Sequence, residues 1–136
     1  MGSPGSGVTR LTGQAIKNIA SKNIEMKLLQ AIAVLTGLIL IVLTVVPAAE
    51  RPVTGLQHDL EHFAAFALCG MLVAGSFEAK TGLLLLAGTA YSLLLECLQI
   101  PLPTRHARVE DFIVDSIAIA AGILFVRIGK RLRLQS

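Results

Sequence analysis

LLQAIAVLTGLILIVLTVV, residues 28–46, decides the fold. The stretch carries no charged side chain, holds Gly37 near its middle and stops just before Pro47. A helix of this length reaches about 28 Å, close to the roughly 30 Å hydrocarbon core of a bilayer. Three more apolar runs follow, at 62–77, 81–100 and 112–128. The second is short, the third contains one charge, Glu96, and the fourth has Asp115 near its start and Arg127 at its end. All are too long, and too rich in Leu and Ala, to read as alternating strands. The expectation is an all-α integral membrane four-helix bundle.

Composition agrees. Of 136 residues, 54% are hydrophobic and only 15% charged, against about 25% charged in an average soluble domain. An ordinary soluble domain is not expected, and a disordered chain is excluded. A net charge of +3, 4% aromatics and no Trp give no footprint for nucleic acid. Cys69 and Cys97 lie inside apolar runs and form neither a disulfide framework nor a CxxC metal motif.

The chain divides into 1–27, a flexible or amphipathic N-terminal segment, 28–129, the membrane part, and 130–136, a basic tail. MGSPGSG at 1–7 reads as a flexible start. Leu11, Ala15, Ile16, Ile19, Ala20 and Ile24 then recur at rough helical spacing among Arg10, Lys17, Lys22 and Lys27. That pattern suits a short helix on a membrane surface or a solvated lead-in. The run at 28–46 exceeds the 7–15 residues of a signal-peptide core and has a long lead-in, so it reads as an uncleaved span. With four spans both termini share one side. That side holds Arg10, Lys17, Lys22, Lys27, Lys80, Arg127, Lys130, Arg131 and Arg133, against Arg51, Arg105 and Arg108 on the other. The positive-inside rule places both termini in the cytoplasm, and a multi-pass protein of a bacterial inner membrane is expected.

Polar residues gather at the outward ends of the last three spans: His58, Asp59, Glu61 and His62, then Glu96 and Gln99, then Arg105, His106, Arg108, Glu110, Asp111 and Asp115. His58 and His62 are four apart and share a helix face. Gly88, Ser92 and Glu96 run at spacings of four, and Asp111, Asp115, Ala118 and Gly122 at 4-3-4. Small residues mark faces where membrane helices pack closely, so these carboxylates should point into the bundle. Ionisable groups inside spans are costly and by default mark functional sites. The plain alternative is satisfied pairs that fix helix register, such as Glu96 with Arg105 or Asp115 with His62.

Together these residues resemble the VanZ-like family of small membrane proteins. The motifs are His62-Phe63 at the start of one span, Glu96-x-x-Gln99 at the end of the next, the loop Pro103-Thr104-Arg105, and Asp111 through Asp115 opening the last span. The resemblance covers about residues 46–122. It departs from the family pattern at three places: His58 and Asp59 stand where relatives carry an Asp-Lys pair, Thr104 replaces the Gly before the loop Arg, and Asp115 replaces an Asn. The resemblance implies an envelope role, and through the family's name an association with glycopeptide resistance, but no reaction mechanism.

Three chemistries fit this end of the molecule. In the first, Arg105 and Arg108 grip a phosphate or carboxylate of a lipid-linked or amphiphilic envelope ligand, as Arg suits bidentate anion recognition. Glu96, Asp111 and Asp115 then hold those arginines or meet an amine. The expected site is His58, Asp59, His62, Glu96, Gln99, Arg105, His106, Arg108, Asp111 and Asp115, with no cofactor, and with membrane lipids or an envelope precursor as partner. In the second, His58-Asp59-Leu60-Glu61-His62 matches H-x-x-E-H, and His58, His62 and Glu96 would bind zinc in a membrane hydrolase. In the third, His62 beside a carboxylate moves protons without metal, with Ser92, Thr104 or Ser116 as nucleophile. The small-residue faces also permit a homodimer.

Overall fold

A computed structural model describes residues 5–46, 58–100 and 109–135, with side chains at 13–46, 60–100 and 109–135. Its order is α1 (Gly5–Val45), α2 (His58–Ser76), α3 (Thr81–Gln99) and α4 (Val109–Arg133), with no strand among the described residues. α1 gives way just ahead of Pro47 and α3 just ahead of Pro101. Proline disfavours helical geometry in the residue before it and cannot donate its own backbone hydrogen bond. α4 carries Glu110 and Asp111 in its first turn and Lys130, Arg131 and Arg133 in its last, the signs that the helix dipole favours at each end.

Gly13–Val45, Thr81–Gln99 and Val109–Arg133 are long and apolar enough to cross a membrane, whereas the apolar part of α2, Leu60–Ser76, is shorter. The protein is therefore almost wholly helical in its described residues and suited to a membrane by length and composition. Its outer faces suit lipid: Leu35, Leu38, Val42, Leu86, Leu93 and Phe125 are all exposed. Residues 5–27 are the first part of α1. No proline interrupts residues 5–45, and a helix once begun adds residues at little cost. Met1–Pro4 lie outside the described residues.

The helices do not pack in chain order. α2 makes its most extensive contact with α4, a smaller one with α1 and little with α3, although four residues join it to α3. α2 and α4 run parallel: His62 meets Asp115, Ala67 meets Gly122, and Ala74 meets Lys130. Two glycines make this approach possible. A Cβ on Gly122 would collide with the Ala67 carbonyl oxygen, and one on Gly70 with that of Ile119. Around the bundle the order is thus α1, α2, α4, α3. The core of Phe66, Cys69, Ala74, Leu84, Leu95, Ala118, Ile119 and Ile123 fills its middle, with Leu40 of α1 at its edge.

α2 ends inside this packing and borrows donors from its neighbours. The last carbonyls of a helix have no partner within it. Here Phe77 N–H donates to Val73 O, Lys130 Nζ to both Ala74 O and Gly75 O at 3.1 Å, and Gln30 Nε2 to Ser76 O at 3.2 Å. Arg127 Nη2 continues the series onto Phe77 O at 2.9 Å and Ala79 O at 2.8 Å. Two cations therefore sit at the negative end of the α2 dipole. These contacts also bring Gln30, Ser76 and Lys130 to one level.

Candidate functional site

At the opposite end of α2 and α4, His62 Nδ1 lies 3.3 Å from Asp115 Oδ1. Both helices hold their partner in place. The glycine contacts four to eight residues further along fix the α2–α4 register, and the His62 ring stacks on Phe66, one turn below, with centroids 6.2 Å apart and planes at 17°. Phe66 in turn meets Tyr91 of α3 at 6.5 Å, within the range of favourable aromatic pairs. From Tyr91, the α3 helix rises about 7.5 Å to Glu96; from Phe66, α2 rises about 6 Å to His62. Glu96 and His62 therefore stand at similar heights.

Asp115 is 5% exposed, Gln99 6% and Glu96 9%. The small-residue faces read from the sequence are the buried ones: Gly88, Ser92, Glu96 and Gln99 on α3, and Asp115, Ala118 and Gly122 on α4. His62 and Asp111 are half-buried. The pairing of Asp115 with His62, one of the plain alternatives, is present. Ser92 Oγ donates to Gly88 O at 3.2 Å, which ties that hydroxyl to its own helix. The Ser116 hydroxyl is buried without a hydrogen-bond partner among the described residues.

Several expected site residues fall outside this picture. His58 begins α2, but its side chain and that of Asp59 lie outside the described residues, as do Arg105, His106 and Arg108. The described part of this end therefore contains carboxylates and no Lys or Arg. Among the described residues no three His, Cys, Asp or Glu side chains are grouped for a metal ion; the zinc reading with His58, His62 and Glu96 depends on His58, which is not among the described side chains.

The family model described as VanZ/LLP1 matches residues 8–130. The chain belongs to the VanZ/LLP1 family. No curated protein and no solved structure gives a significant match. Within this VanZ/LLP1 protein, His62, Glu96, Gln99, Asp111 and Asp115 occupy one end of α2, α3 and α4.

Sequence reading passed over Phe66, Tyr91, Gln30, Arg127 and Lys130. Tyr91 Oη donates to Gly37 O at 2.5 Å and is the link between α3 and α1. As the only tyrosine in the chain, placed one turn above Gly88, it carried a usable signal. Arg127 and Lys130 had been absorbed by the orientation rule, which explains any cation near a helix end and so hides a specific role.

Proposed function

We propose that this VanZ/LLP1 protein is a four-span protein of a bacterial inner membrane, with both termini cytoplasmic, that binds a lipid-linked or amphiphilic anionic envelope ligand at its outward end. The carrying observation is the burial of Asp115, 3.3 Å from His62, and of Glu96 and Gln99 at the same end of largely apolar helices. A charged side chain at the bilayer centre costs about 2.5–3.5 kcal/mol on insertion scales, and a buried carboxylate nearer a helix end still needs polar company. Two carboxylates at one end, with Asp111 beside them, mark a polar site rather than a scatter of helix-end charges. Arg105 and Arg108 lie in the segment that joins α3 to α4 at this end, and supply the cations for an anionic head group. Tolerance of glycopeptides or lipoglycopeptides would follow from capture of an envelope precursor or of the amphiphilic drug itself. α2 completes the fourth span by packing along α4 despite its shorter apolar length.

Native mass spectrometry of the protein released from its own membranes tests the reading, beside an Glu96→Ala, Arg105→Ala double variant. A lipid or precursor retained by the wild type and lost from the equally folded variant supports it. Retention by neither protein, or by both, overturns it and leaves the polar cluster as a helix-pairing device. A second reading, acid–base chemistry, has the His62–Asp115 contact in its favour, since a carboxylate beside an imidazole is the usual proton-moving pair. Chemical conversion of the retained ligand would bring that reading forward.

A further inference from the structure

A cleft of about 160 Å³ lies at the seam between α1 and α3. Its sides are Ala33 and Gly37 of α1 and Ala87 and Tyr91 of α3; Cys69 of α2 and Ile119 of α4 are among the residues that floor it. Small residues usually let helices touch, as Gly70 and Gly122 do here. At this seam they leave space instead. A Cβ on Gly37 would meet only the Tyr91 hydroxyl at 3.8 Å, and Ala87 is exposed. α1 and α3 share much less contact than α1 and α2.

Two facts identify an occupant. Gly13–Val45 and Thr81–Gln99, the helices on either side, are both long and apolar enough to cross a membrane, so the seam opens onto hydrocarbon. The volume is close to the ~150 Å³ of an apolar cavity that stays dry and takes up benzene. An unfilled gap of this size forfeits dispersion contacts along its walls. The cleft also continues the faces that carry the polar cluster. Ile119 is one turn, about 6 Å, along α4 from Asp115, and Cys69 about 10 Å along α2 from His62.

We propose that the cleft seats the hydrocarbon tail of a membrane amphiphile whose polar head lies at the His62–Asp115 end. This rests on the binding reading above and adds the tail to the head group. Tyr91 is the hinge point: its ring faces Phe66 below the polar cluster, and its hydroxyl is spent on Gly37 O, so it presents an apolar wall to the tail.

The chain has one Tyr and no Trp, so its intrinsic emission reports on Tyr91 alone. The protein is reconstituted in phosphatidylcholine vesicles containing phosphatidylglycerol whose acyl chains are dibrominated. Bromine quenches on contact, so wild-type emission should fall strongly. An Ala33→Leu, Ala87→Leu variant, which fills the cleft, should lose most of that quenching. Gly37→Ala, whose methyl has room, is the milder variant and should lose part of it; Leu86→Ala on the lipid face should lose none. Helicity by circular dichroism checks that each variant is folded. Quenching that is absent in the wild type, or unchanged when folded variants fill the cleft, overturns the tail site and leaves the ligand-retention result for the polar end untouched. Quenching abolished by filling, in a protein that retains no ligand, overturns the polar-end reading and with it the joined head-and-tail site.

Discussion

Gly122 of α4 rests directly on the backbone of Ala67 in α2, with the Met71 amide nitrogen also close to where its side chain would begin. The neighbouring atoms are backbone and cannot swing aside. Gly122→Val, and likewise Gly70→Val against Ile119, should cost about 1–3 kcal/mol of stability, the usual penalty for overpacking. Gly75→Ala and Gly82→Ala meet nothing within 4 Å and should be neutral or slightly stabilising, since Ala is the better helix former. Thermal unfolding in detergent, followed by circular dichroism, separates the two classes. Equal midpoints for all four variants would remove the glycine contacts as the reason for α2–α4 pairing.

His62 and Asp115 should be energetically coupled. The cycle formed by His62→Gln, Asp115→Asn and the double variant should give about 0.6 kcal/mol, and no more than about 1.7, the range of interhelical hydrogen bonds in membranes. A coupling near zero would mean that the two side chains are neighbours without being partners.

Arg127→Gln should release the carbonyls of Phe77 and Ala79, and Lys130→Met those of Ala74 and Gly75. These bonds are part-buried or exposed, so each one lost should cost about 0.5–1.5 kcal/mol. The loss should be local: faster amide exchange over residues 72–80, with the α4 amides near Asp115 unaffected. Exchange that rises evenly through the bundle would instead make these cations general stabilisers.

Tyr91→Phe removes the bond to Gly37 O while keeping the ring against Phe66. A cost of about 1 kcal/mol is expected, the net worth of a typical hydrogen bond. The seam between α1 and α3 should then open, which a cysteine pair at positions 33 and 87 would register as slower disulfide formation than in the Tyr91 background.

Much of this bundle was readable before its structure was known. Pro47 and Pro101 marked the ends of α1 and α3 because proline acts locally. The faces of Gly88, Ser92 and Glu96, and of Asp115, Ala118 and Gly122, were visible because helical spacing says which side is buried. Spacing does not say against what. The parallel pairing of α2 with α4, across an intervening helix in the chain, depends on a backbone contact at Gly122 that no periodicity encodes. The division after residue 27 came from composition, which changes there, whereas α1 runs through it from Gly5 to Val45. The pairing of His62 with Asp115 was legible as one of the candidate pairs, because buried charge must find a partner. Gln30 as a donor to Ser76 O was not, since one amide in an apolar run has many ways to be satisfied.

The end of α2 has a consequence for how the protein is made. Its closing carbonyls are satisfied by Gln30, already synthesised, and by Arg127 and Lys130, which are made only after α3 and most of α4. Until those arrive, the second helix carries bare acceptors at one end and a histidine awaiting Asp115 at the other. Its assembly therefore waits on α4, which supplies both fastenings, and a chain truncated before Arg127 should be recognised by quality-control proteases as unfinished.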